Sequence, residues 1–452
     1  MRSRPLLFLT LAALLGGCAT AGTVGPDGLA RLEHARTENP QSAAANRALG
    51  IAYYQLHRYP EAREALQRAA AADPKDGTTQ LFLGMTAEAQ NDLVAARAAY
   101  SSYVEYGRTA RVRRLLQDRL AALNQKELVL AAKQAVANER QLASVPGTPN
   151  VVAVLPLSFT GSDTTLRPLG RGLAELLTTD LAQSPKLTVV ERARVQALVD
   201  EIKLQQSGAT DQSTNVRAGR ILEAGRLVAG GITQTGQDLR VDAPIVNTAN
   251  DQVVGSPSDS RALDEVFTLE KNLAFEIFNS LGVTLTTAER NQIEQRPTKS
   301  LAAFLAYSRG LSFQDEGRFD DATRLFDQAL RIDPGFSAAR QSAQQSSAAA
   351  QGQNVTPATV EVGLRGSGEG AIVAGASQGV VVTAPPTALT NMAATTAQGL
   401  NPSGAQVATT GGGNSTTGTI TANNNGGAQA TGTDNITNKT ATVQIVVHIP
   451  HL

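Results

Sequence analysis

The stretch NRALGIAYYQLHRYPEAREALQRAAAADP, residues 46–74, decides how the first part of this 452-residue chain is built. Leu49, Gly50, Tyr53, Ala62, Leu66 and Ala69 fall at the offsets of two helices packed face to face, and Pro74 closes the run. Small residues let two helices approach closely, large apolar ones fill the seam, and proline stops the second helix. About 34 residues on, the pattern returns with Leu83, Gly84, Ala96, Tyr100 and Tyr103. This second unit is weakened by Ala87 in an aromatic position and by Arg108 where the closing proline belongs. Far downstream AYSRGLSFQDEGRFDDATRLFDQALRIDP, residues 306–334, repeats the pattern with Gly310, Phe313, Ala322, Phe326, Ala329 and Pro334.

This spacing resembles the tetratricopeptide repeat (TPR). The resemblance implies helical hairpins over 43–110 and 297–345 that bind proteins or peptides on a concave face lined by the first helix of each pair. By motif offset that face holds Arg47, Ile51, Tyr54 and Gln55 in the first block and Phe304, Tyr307, Leu311 and Gln314 in the last. The same residues suit packing against a neighbouring helix equally well. Two or three units bury only a short core, so the pairs are expected to lean on other parts of the chain. Residues 111–149 carry Val112, Leu116, Leu120, Leu123 and Leu128 at helical spacing. They read as one or two helices that cap the repeats, followed by a Pro- and Gly-containing linker.

Over 150–290 the pattern changes. VVAVLPL reads as a buried strand ending at Pro156, GRGLAELLTTDLAQS as an amphipathic helix, LTVVER as a second strand and ARVQALVDEIKLQQSG as another helix. RLVAGGITQ, QDLRVDAPIVN and DQVVGS read as an antiparallel meander, and a last helix follows through LAFEIFNSLG. These segments resemble the CsgG/TolB-N-like family of bacterial envelope proteins. The fold class expected is α+β and multidomain, with TPR hairpins flanking a CsgG/TolB-N-like α/β sheet domain. In channel-forming relatives the pore comes from two inserted hairpins, and a spanning strand takes about 9–11 residues. Here Thr235–Asp238 and Gly255–Arg261 leave no room for either insertion.

The start of the chain, MRSRPLLFLTLAALLGGC, is basic, then apolar, then small. The apolar run is shorter than the about 20 residues a spanning helix needs, so 1–17 reads as a signal peptide. Leu15-Gly16-Gly17-Cys18 resembles the lipobox of bacterial lipoproteins, which implies acylation of Cys18 with diacylglyceryl and palmitate-type chains. Residues 18–42 are then an anchor and linker. Cys18 is the single cysteine, which excludes a structural disulfide. Ala19 after it favours the outer membrane within that family, and the localisation expected is its periplasmic side.

The 40 basic and 40 acidic residues balance, giving no long-range field for nucleic acid. His34, His57, His448 and His451 show no metal-ligand spacing. Gly170 and Gly172 suit close packing better than a phosphate loop. Asp180, Glu191 and Asp200 read as solvated or capping carboxylates. Residues 352–452, rich in Gly, Ala, Thr, Asn and Ser, read as a low-complexity, disordered tail with β-prone islands at AIVAGASQGVVVTAP and ATVQIVVHIP. No enzyme and no cofactor is expected. The chain reads as a non-enzymatic, lipid-anchored adaptor for envelope protein partners in secretion, curli-like fibre or flagellar assembly, able to form oligomers and held to the membrane by its acyl chains. The alternative is an outer-membrane lipoprotein activator of a cell-wall synthase, since activators with a related small α/β domain exist.

Overall fold

A helix pair closes only where its two backbones can approach, and the repeat glycines make that approach. In the computed structural model, which describes residues 24–139, 147–205 and 212–383, α2 (Ala43–Gln55) pairs with α3 (Tyr59–Ala72), and α4 (Gly77–Ala89) with α5 (Leu93–Tyr106). A methyl on Gly50 would lie 2.5 Å from Leu66, one on Gly84 2.4 Å from Tyr100, and one on Gly310 2.5 Å from Phe326. Side-chain oxygens of Ser42, Asp76 and Asp92 accept hydrogen bonds from first-turn amides of α2, α4 and α5, which fixes where each helix starts. The stretch expected to be anchor and linker contains a helix, α1 (Pro26–Glu38), because Leu32 is fully buried in the repeat core. Residues 110–137 form one 28-residue helix, α6, rather than two.

The sheet domain starts at β1 (Thr148–Val154), which pairs in parallel with β3 (Thr188–Val189) and β4 (Ala224–Val228). Antiparallel β7 (Ile245–Asn247) and β8 (Gln252–Gly255) extend it in the order β3-β1-β4-β7-β8. A four-stranded sheet, β2 (Ser158–Thr160), β5 (Gly231–Thr235), β6 (Asp238–Asp242) and β9 (Ser258–Ala262), runs beside it in the order β2-β5-β6-β9. The simple meander expected from sequence is therefore corrected. Each apolar stretch bends and passes from one sheet to the other, at Pro156, Gly230, Pro244 and Pro257. Proline has no amide to continue a ladder. Hydrogen bonds from Ala229 N–H to Pro244 O (3.1 Å) and Ala243 N–H to Pro257 O (2.8 Å) carry the pairing across the bend.

Alternation then sorts the sheet's two faces. Val152 and Val154 meet α7 (Leu169–Leu181) and α10 (Val266–Ser280), whereas Ala153 and Leu155 meet α8 (Arg192–Gln205) and α9 (Gln212–Ile221). The core on the first face continues through α11 (Thr287–Ile293) into the hairpin α12 (Leu301–Asp315) and α13 (Phe319–Ile332) and into α14 (Ser337–Gln353), which also packs along α6.

The tail expected to be disordered from residue 352 is corrected as far as 383. It forms α15 (Pro357–Leu364) and α16 (Gly368–Ser377). Val355, Val360, Leu364, Ile372 and Ala376 are buried in the core of the N-terminal repeats. The island at residues 371–385 is thus helical to Ser377 rather than a strand. Averaged composition hid this, because few large residues are needed where glycine and alanine let backbones touch. Cys18, His448, His451, the ATVQIVVHIP island and the rest of 384–452 lie outside the described residues.

Candidate functional site

The concave face of the N-terminal repeats is occupied, and its occupant is this chain. Arg47, 7% exposed, donates through one Nη to Asp76 (2.8 Å) and through the other to the backbone carbonyl of Val382 (2.5 Å). The Gln55 amide and the Ser377 hydroxyl exchange hydrogen bonds of 2.8 and 3.1 Å. Ile51 is fully buried, and Tyr54 packs edge-on against Phe82 at 5.4 Å. Of the four residues placed in the first groove by motif offset, Arg47 and Gln55 bond to residues 377–382, and Ile51 and Tyr54 share a core with residues 355–376. Beside them a cavity of about 190 Å³, lined by Tyr54, Tyr59, Tyr100, Arg119 and Val360, separates the groove from α15.

Glu369 was missed by sequence reading. It is 4% exposed, and its Oε1 accepts from the Arg108 amide (3.0 Å). Its Oε2 accepts from the Tyr103 hydroxyl (2.7 Å), the Thr109 amide (3.1 Å) and the Thr109 hydroxyl (2.5 Å). A carboxylate there satisfies amides that the start of α6 leaves without partners and sits at the positive end of that helix. Burial and the hydrogen bond to Glu369 push the Tyr103 hydroxyl far above its ordinary pKa. Arg108, flagged in sequence as the residue that spoils the repeat, supplies one of those amides. Nearby, Arg31 donates to Gln378 O (2.9 Å), and Gly379 lies so close to Gly28 that a methyl on it would fall 2.3 Å from the Gly28 Cα.

The second set of groove residues faces inward. Phe304, Tyr307 and Leu311 are at most 2% exposed. Phe304 meets Phe267 edge-on at 5.3 Å, and Tyr307 lies 4.9 Å from Phe336 and 5.5 Å from Phe326. Gly172 of α7 sits beneath Phe304 and Ser308, where a methyl would clash at 2.7 and 2.1 Å, so the glycine pair serves packing. The expected open groove on α12 is corrected to an interface with the sheet domain. Gln314, with an edge of Leu311, lines a cavity of about 500 Å³ between α6, α8 and α12.

Two buried charge clusters were also illegible in sequence. Asp315, at the end of α12, accepts two 2.8 Å hydrogen bonds from Arg192 and lies 3.1 Å from Arg171. Burial works to lower the Arg192 pKa, but the charge and hydrogen bonds of Asp315, with Glu175, outweigh it and raise it further. Asp180, expected to be solvated, is 6% exposed and pairs with Lys271 at 2.6 Å. Lys271 is also 3.1 Å from Glu270. Burial, and then the charge of Asp180, push the fully buried Glu270 carboxyl well above its ordinary range. The Asp180–Lys271–Glu270 cluster joins elements of the fold, and the Arg192–Asp315 pair does so at the wall of the 500 Å³ cavity, which Glu175 also lines. Glu191 is exposed, and Asp200 accepts from Gln196 at 2.8 Å.

Residues 107–243 match the family described as "Curli production assembly/transport component CsgG", and residues 26–77 and 47–110 match the tetratricopeptide repeat. The chain is a CsgG-like protein with tetratricopeptide repeats. The CsgG match begins ahead of α6 and ends at the bend after β6, so it takes in the long helix as well as the sheet. Both matched families are non-catalytic, and the CsgG family is associated with the bacterial envelope. A protein of Rhizobium meliloti (strain 1021) named as an adenylate cyclase is 25% identical over 201 residues, which is 44% of this chain and 32% of that protein. The chain thus matches about a third of that relative's length. Among the described residues, no group of His, Cys, Asp and Glu is placed to hold a metal ion, and no helix is long and apolar enough to cross a membrane.

Proposed function

We propose that this CsgG-like, TPR-containing chain is a non-enzymatic, lipid-anchored periplasmic adaptor that holds protein partners in an envelope assembly. The observation that carries the reading is the joining of a CsgG-like sheet domain to two repeat blocks through buried contacts, above all the Arg192–Asp315 pair. Such a body holds its surfaces in fixed relation, which suits a scaffold. Strands β5 and β6 have five residues each and meet at the turn Gly236–Gln237, with Gly236 at φ +63°. Strands that span a bilayer take about 9–11 residues, which sets this hairpin apart from a pore-forming insertion. Acylated Cys18 is its hold on the outer membrane.

Two measurements test the reading. Labelled palmitate should enter the intact chain and not Cys18→Ser, and crosslinking in living cells followed by pull-down should recover envelope proteins. Unlabelled wild-type protein would sink the anchor, and recovery of no envelope protein would sink the adaptor.

A further inference from the structure

Helix α16 and the residues after it meet the N-terminal repeats through a dense set of polar contacts beside a shared apolar core. The chemistry of this contact is that of a ligand in a site. The carboxylate of Glu369 is received by two backbone amides, a threonine hydroxyl and a tyrosine hydroxyl. Ile372 and Ala376, one and two turns on, enter the apolar core of the repeats. Ser377 is read by Gln55, and the chain beyond it is held at Gln378 O and Val382 O by Arg31 and Arg47. These are polar contacts to α1, α2, α5 and the turn between α5 and α6, and two of them, from Arg47 and Gln55, come from the residues that the repeat motif places on the groove.

The occupant is also weakly held together by itself. Helix α16 has ten residues and includes Gly368, Gly370 and Gly375, and a helix so short and so rich in glycine does not persist in water without a surface to lie on. Arg365 and Gly366, the latter at φ +74°, are exposed and separate α16 from α15. Left-handed backbone at an exposed glycine is free to change, so α16 can leave without unpacking α15 from α6. Only Glu369, Ile372 and Ala376 of α16 are buried.

We infer that residues 367–382 are a displaceable, built-in ligand of the N-terminal repeat groove, and that the partner this groove accepts is a helix with an acidic residue, an aliphatic residue three positions on and a small residue seven positions on. The inference rests on the adaptor reading and adds its regulation: the groove is closed at rest and opens by competition. A partner helix with this pattern takes the amides of Arg108 and Thr109 from Glu369 and frees the chain from residue 367 onward.

The test uses the full chain and, as probe, a fluorescein-labelled peptide of residues 366–383. Hydrogen–deuterium exchange should show 367–382 opening at least tenfold faster than α15 and α2. In Glu369→Gln an amide NH2 group faces the N–H donors of Arg108 and Thr109. In Gly379→Ala the added methyl collides with Gly28 and the groove residues are untouched. Each should speed that exchange further and tighten probe binding at least tenfold over wild type. Exchange of 367–382 as slow as that of α2, or a probe that binds neither variant, would make the segment a permanent part of the core and overturn the inference. Recovery of envelope partners alongside an unbound probe sinks the built-in ligand and leaves the adaptor standing. Probe binding with no partner recovered does the reverse.

Discussion

Replacing Asp315 by alanine should be among the most damaging single changes in the described residues. Its carboxylate is 4% exposed, holds both Nη atoms of Arg192 at 2.8 Å, and lies 3.1 Å from Arg171. Arg192 is itself 5% exposed and keeps only Glu175 at 2.6 Å once Asp315 is gone. Breaking a buried pair by removing one partner costs about 3–5 kcal/mol, because the other charge stays behind in a poor solvent. Whole domains are stable by about 5–15 kcal/mol, so this is a large part of the margin. With an m-value of about 3 kcal/mol/M, the urea midpoint read by far-UV circular dichroism should fall by about 1–1.7 M. Arg192→Met combined with Asp315→Leu should recover much of the loss, since apolar residues of similar volume often replace a buried pair without penalty. A loss below about 1 kcal/mol for Asp315→Ala, the range of exposed pairs, would refute the view that this pair joins the sheet domain to the C-terminal hairpin.

Three further outcomes follow from the same reasoning. Glu270→Gln should stabilise the protein, with a gain that grows as pH rises. The folded Glu270 carboxyl is raised by burial and by Asp180, so its favourable contribution is fully present below the unfolded value of about 4.3 and is lost as pH climbs towards the folded value. Equal gains at pH 5 and pH 8 in chemical denaturation would contradict this. Gly310→Val should lower stability by about 1–3 kcal/mol because of the 2.5 Å approach to Phe326, read as a fall in melting temperature. Glu139→Gln should change stability by less than about 1 kcal/mol, because the Arg217–Glu139 pair leaves 23% and 28% of its side chains exposed.

What could be read from sequence was whatever repeats or alternates locally. Gly50 with Leu66, Gly84 with Tyr100 and Gly310 with Phe326 lie at one fixed offset, so the hairpins were legible. The β-branched runs gave the strands but not their bends, since Leu239, Val241, Ala243 and Ile245 keep one apolar alternation through Pro244 while the chain changes sheets. Long-range polar contacts left no trace. Asp180 reads as a solvated carboxylate until Lys271, 91 residues on, is brought beside it. Glu369 sits in a glycine-rich stretch whose composition argues for disorder, and only the repeats it docks on give it a fold. Cys18 lies outside the described residues.

The Tyr103–Glu369 contact closes a loop of 266 residues, and that span has a meaning in time. A ribosome working at about 5–20 residues per second releases the first repeats on the order of 15–50 s before the segment that covers their apolar concave face exists. During that interval the nascent chain carries an uncovered apolar surface on its first repeats. A chaperone met on the way can cover it, and so can the matching segment of a chain made a moment earlier on the same message.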